Sequence, residues 1–158
     1  MLCEKEMGSY IVPDGWHEAD FSFQQLYVYS REKLPAMKKM DNISVIFGKN
    51  PYPQEEHQLF RAAIIKQLQP KLKLLNNPDL YAYGSMTEKG IVLYVFEVTE
   101  EDGALTRFCY LVGDHRFCMV QESNYDHSED YSQAAKKLVH SFEWKNDPAI
   151  SEQKEGQV

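Results

Sequence analysis

The sequence predicts an α+β fold, an antiparallel sheet with two main helices, on three observations. Between Leu80 and Ser123, strand-length apolar runs are separated by the turn dipeptides Lys89-Gly90, Asp102-Gly103 and Gly113-Asp114, which reads as a four-stranded meander. Leu59, Phe60, Ala63, Ile64 and Leu68 recur at helical spacing. So do Tyr131, Ala134, Ala135, Leu138 and Phe142 after the ladder. Strands grouped together and helices set apart give α+β rather than a parallel α/β sheet.

Residues 1–8 are expected to be an extension, 9–144 a single globular domain, and 145–158 a disordered tail without apolar periodicity. A short N-terminal strand, Ser9–Val12, stops at the turn triplet Pro13-Asp14-Gly15, and Trp16 docks back on the core. A second strand covers Leu26–Ser30, and a third, Asn42–Phe47, ends at Gly48. Between them, Arg31 to Met40 is an exposed, basic, irregular connector containing Pro35.

The first helix is expected from Pro53 to Leu68. Proline suits its first turn, Glu55 and Glu56 complement the dipole, and Pro70 stops it. For the second helix, near 128–141, Asp126 takes the cap role with Glu129 three residues on.

With Gly113-Asp114 as a two-residue turn, Cys109 faces Cys118 across a hairpin, at the short end of the distance a disulfide tolerates. In a reducing compartment such cysteines pack as small apolar side chains. The same rule applied to Asp102-Gly103 places Tyr94 and Phe96 on one face with Cys109, Leu111, Cys118 and Val120. Leu93, Val95, Phe108, Tyr110, Phe117 and Met119 then share the other face, next to Glu97 and His115. Both faces are apolar, so each must be covered or must hold something.

The 158 residues carry a net charge of −7, which disfavours phosphate backbones and anionic lipid as partners, so no nucleic acid is expected. The N-terminus has no hydrophobic leader region, and no stretch is long enough to span a membrane, which reads as cytoplasmic. Leu2-Cys3 resembles the end of a lipoprotein cleavage site, so an exported lipoprotein trimmed ahead of Cys3 is the alternative.

Candidate chemistry is sparse. The five histidines form no HExxH and the chain has no CxxC, so no metal or cofactor is expected. Asp126-His127-Ser128-Glu129-Asp130 could read as a carboxylate and imidazole cluster, but acids at a helix start serve its dipole. No GxSxG presents a nucleophile. Spacing allows Cys109 beside His115 or His140, yet a strand position favours inert packing. Arg31, Lys33, Lys38 and Lys39 form a basic patch that an acidic protein partner could use.

The ten tyrosines and eight phenylalanines suggest half-wet surfaces such as interfaces. Phe108, Tyr110, Phe117 and Met119, with Glu97 and His115 beside them, read either as plain core under a helix or as the candidate binding surface, whose partner would be another protein or a second copy.

Tyr10-Ile11-Val12-Pro13 with Trp16, then Asn42-Ile43-Ser44-Val45, the meander, and a closing helix running into Ser141-Phe142-Glu143-Trp144 together resemble the PsbP and Ran-binding Mog-type superfamily. Bacterial DcrB-like proteins and the Eag chaperones of type VI secretion belong to it. The resemblance spans residues 9 to 144 and implies an α/β/α sandwich with mostly non-catalytic docking functions. The expectation is therefore a non-catalytic protein-binding module of chaperone, adaptor or immunity-protein type. The alternative is a small-ligand or enzymatic domain with a pocket between sheet and helix, using Glu97, His115 or Tyr110.

Overall fold

The computed structural model describes residues 1–32, 41–74, 79–99 and 105–145. The chain runs β1 (Leu2–Glu4), β2 (Gly8–Ile11), β3 (His17–Phe21), β4 (Leu26–Ser30), β5 (Asn42–Lys49), α1 (His57–Leu74), β6 (Asp79–Met86), β7 (Val92–Thr99), β8 (Leu105–Val112), β9 (Arg116–Asn124), α2 (Glu129–Ser141) and β10 (Glu143–Trp144). Seven strands form one antiparallel sheet in the order β3-β4-β5-β9-β8-β7-β6, and β1-β2-β10 form a second, small one. The expected α+β class, meander and two main helices are all present.

Each helix takes one face of the large sheet. α1 sets Phe60, Ile64 and Leu68 on Val92, Tyr94, Phe96, Tyr110 and Val112. On the other face, Tyr131, Ala134, Ala135, Leu138 and Val139 of α2 join Ile43, Val45, Leu93, Val95, Leu111 and Val120. Tyr10 and Val12, from β2 and just beyond it, enter this second core with essentially no exposure. Alternation of buried and open positions is what a half-covered strand requires, and β5 shows it from Asn42 to Gly48.

Three elements escaped the sequence reading. β1 pairs with β2, so Leu2–Glu4 is a strand of the fold rather than part of an extension. β3 pairs with β4 as the outer strand beyond Trp16. β10 pairs with β2 through Glu143 and Trp144. All three are short and weakly apolar, and their partners supply the pairing.

The helix boundaries also shift. α1 begins after a 3-10 turn at Gln54–Glu56 and continues through Pro70 to Leu74 instead of stopping there. Lys66, Gln69 and Pro70 are exposed, so water can take the carbonyl that the proline leaves without its helical donor. At α2 the cap position belongs to Ser128, not Asp126. Asn124 holds that turn instead, accepting from the Ser128 N–H at 2.8 Å and donating to its carbonyl at 2.9 Å.

Two registers differ from expectation. β8 pairs with β9 so that Cys109 faces Val120 and Cys118 faces Leu111. The turn is therefore centred on Asp114-His115, with the Gly113 N–H donating to the Arg116 carbonyl at 2.8 Å and His115 at φ +57°. Tertiary contacts fix it there: the His115 N–H donates to the Tyr52 carbonyl at 3.2 Å, and its own carbonyl accepts from Asn50 at 3.1 Å. Cys109 and Cys118 are diagonal neighbours on one face, and both are free.

β7 and β8 pair Val92 with Val112 through Thr99 with Leu105. The link between them thus has an odd length, and its expected Asp102-Gly103 turn lies outside the described residues. A one-residue slip turns every side chain of a strand over. Tyr94 and Phe96 therefore join Phe108, Tyr110, Phe117 and Met119, whereas Leu93 and Val95 join the cysteines. The expected disorder of the tail likewise falls outside the described residues, apart from Lys145.

Candidate functional site

The aromatic face is the core beneath α1. Tyr110 is 9% exposed, and the Phe60 ring of α1 lies 5.6 Å from it and 5.5 Å from Phe117. Phe96 and Phe117 flank Tyr110 at 5.9 and 5.8 Å. Phe108, Phe117 and Met119 are half-buried at the margin of this packing. Of the two sequence readings of these residues, plain core under a helix is the one that the packing of α1 matches. His115 is exposed in the β8–β9 turn, and Glu97 points to the opposite face, so neither stands beside these rings.

Glu97 instead lines a cleft between α2 and the outer strands. α2 lies over β2, β5 and β9, leaving its side of β6, β7 and β8 only partly roofed. The resulting space is about 240 Å³. Leu93, Val95 and Cys109 form its floor, Ala135 and Val139 its helix wall, and Tyr83 its outer side. Ser132, Gln133, Lys136 and His140 stand along the helix rim.

At one end of the floor, three strands contribute directly paired charged residues. Glu97 of β7 is opposite Arg107 of β8, and Arg107 is opposite Glu122 of β9. Arg107 Nε donates to Glu97 Oε1 at 2.8 Å, and an Nη donates to Glu122 Oε1. The other Glu122 oxygen accepts from the Ser132 hydroxyl at 2.7 Å and from Asn124 at 3.0 Å. Burial works against the charged guanidinium, yet the hydrogen bond to Glu97 and the fields of Glu122 and Glu97 outweigh it and raise the Arg107 pKa. Glu122, 1% exposed, is thus satisfied at both oxygens, and the network ties α2 to the sheet.

These groups suit recognition better than proton transfer. Both carboxylates are engaged by one guanidinium, which stays charged. Burial, against the opposing field of Arg107, pushes the Cys109 thiol up to about 12 and so keeps it protonated. His140 Nδ1 meets Glu88 at 2.9 Å on the rim. Among the described residues, no three or more histidine, cysteine or acidic side chains are grouped to hold a metal ion.

The remaining sequence candidates lie apart from the cleft. Arg31 is exposed and pairs with Asp130 at the start of α2 at 2.7 Å, beside a shallow depression near Trp16 and Lys137. Lys33, Lys38 and Lys39 lie outside the described residues. His127, at φ +54°, belongs to the exposed loop before α2. No helix of the described residues is long and apolar enough to cross a membrane.

No protein-family profile matches the chain, and no curated protein matches its sequence. Solved structures do match its shape. The solution structure of cyanobacterial PsbP (CyanoP) from Synechocystis sp. PCC 6803 superposes with a TM-score of 0.59 over 87% of this chain and 86% of that one, at 14% identity. A crystal structure from Bacteroides thetaiotaomicron VPI-5482 aligns at 0.49 over 89% of this chain and 46% of that one, at 11% identity. The fold is PsbP-like, an α+β sandwich of antiparallel sheet and two helices.

Proposed function

We propose that this chain is a non-catalytic protein-binding module whose contact surface is the cleft between α2 and β6–β8. The size of the cleft carries this reading. At about 240 Å³ it falls below the roughly 300–1,000 Å³ of most small-molecule sites. It suits one or two side chains of a protein partner. Its apolar floor offers buried area, and the fixed Glu97–Arg107 pair and the Lys136 rim offer polar register. The PsbP-like fold agrees with a docking role, although fold alone does not carry function. Of the surface expected from sequence, Glu97 alone is retained. Tyr110 acts as core beneath Phe60. Three free cysteines suit a reducing compartment such as the cytoplasm.

Site-specific photocrosslinking in the native host tests the proposal. A benzoylphenylalanine at position 136 or 83 should trap a partner that the same group at position 59, on exposed α1, does not. That partner, purified, should bind the wild-type chain and lose at least about tenfold in affinity to Lys136→Glu, with unchanged melting temperature. A purified partner indifferent to Lys136→Glu and trapped only from α1 would overturn the reading.

A further inference from the structure

We infer that the outer edge of β6 is a strand-addition site, where an extended segment of a partner protein pairs with Ala82–Met86 and sets a side chain into the cleft beneath α2. The inference rests on the cleft being the binding surface and specifies what enters it.

β6 is the last strand of the seven-stranded sheet, and among the described residues no strand pairs with its outer side. It is eight residues long and pairs with β7 without a bulge from Asp79 to Met86. Native edges of this length are normally protected by lysine, proline, a bulge or an inward charge. The sequence DLYAYGSM has none of these, and its one charge, Asp79, stands at the start. The opposite edge shows the contrast. β3 is five residues long, and Glu18 and Asp20 sit within it. Among the described residues, one edge of the sheet is guarded and the other is left open.

An open edge presents alternating backbone N–H and C=O groups, and an extended backbone is the ligand that satisfies them as a row. Tyr83 pairs with Val95 and Ser85 with Leu93, so these β6 residues share the cleft face of the sheet. A strand added outside β6 lies about 4.8 Å further out and continues the same pleat. Every second side chain of it then lies on the cleft face, and the one opposite Tyr83, which is 39% exposed, falls at the mouth of the cleft.

Charge selects the partner's character. The whole chain carries −7, and around the cleft Glu88, Glu97 and Glu122 face Arg107 and Lys136. A second copy with the same charge is repelled, whereas an uncharged segment is not. The occupant is therefore an extended peptide with apolar residues at alternate positions and no net charge.

The probe is a phage-displayed library of short linear peptides, selected on the intact chain. Selected peptides should alternate apolar and polar residues. Binding should slow amide exchange at Ala82–Met86, and N-methylating alternate peptide amides should weaken it at least about tenfold. Tyr83→Ala should weaken it as well. Peptides that tolerate N-methylation while losing affinity to Lys136→Glu would overturn strand addition and leave the cleft reading standing. Peptides that map to α1, or no selected peptide at all, would count against both. A chain that sediments as a dimer with Ala82–Met86 already protected would overturn the inference in favour of self-association.

Discussion

Arg107 and Glu122 face each other across β8 and β9, and among the described residues the guanidinium is the cationic partner of a carboxylate that is 1% exposed. Removing one member of such a buried pair leaves an uncompensated charge, whereas removing both together does not. Arg107→Met should therefore lower stability by about 3 kcal/mol or more. Arg107→Met with Glu122→Gln should recover much of that loss, because Ser132 and Asn124 still bond the neutral amide. Urea unfolding of the four species of the cycle measures the coupling, and additive losses would contradict it.

Tyr110 and Phe60 make the matching case on the other face. Because Tyr110 is packed under α1, Tyr110→Ala should cost about 3 kcal/mol or more through the cavity it leaves. At this chain length each kcal/mol shifts the melting temperature by roughly 2–4 °C. Partner affinity measured below the transition should stay near the wild-type value. A stable variant with lost association would return the aromatic face to the role of contact surface.

All three cysteines should react slowly with a thiol reagent under native conditions. Cys3, Cys109 and Cys118 are free and buried, and burial is the first cause raising each thiol pKa. Addition of denaturant should release three reactive thiols in one step. A rapid native phase would mean that the core around β9 opens locally.

Glu18 should shape the acid side of the stability curve. Burial would raise its pKa, but hydrogen bonds from Lys5 and Tyr29, both at 2.6 Å, outweigh that and hold it below the ordinary value of 4.5. A carboxylate with a lowered folded-state pKa adds stability that is present above its unfolded pKa. That stability fades as pH falls through 4.5 toward the lowered value. Glu18→Gln should therefore be less stable than wild type at neutral pH, and the two curves should converge in acid. Denaturant midpoints taken across that range check the sign.

Much of the fold is legible in the residues themselves. The helical spacing of Phe60, Ile64 and Leu68, and of Tyr131, Ala134, Ala135 and Leu138, is a local property, and these are the positions that pack. Turn residues such as Gly90, at φ +78°, mark hairpins because their backbone needs them. Elements whose existence depends on a distant partner were not legible. β1, β3 and β10 are strands because β2 and β4 lie beside them. Nothing in Asn42–Lys49 announces that it will pair with Arg116–Ser123.

The sequence by itself determined which residues are apolar and with what period, and hence the class, the meander and the two amphipathic helices. Tertiary structure decided which face each residue joined. Side chains alternate along a strand, so a single-residue change in the β7–β8 link moved Tyr94 from the cysteine face to the aromatic one. Contacts from Asn50 and Tyr52 shifted the β9 turn and parted Cys109 from Cys118. The cleft arose in the same way, because α2 lies over β5 and β9 and stops short of β6. Where a helix lies across a sheet is fixed by packing between distant segments, and a linear pattern does not carry that information.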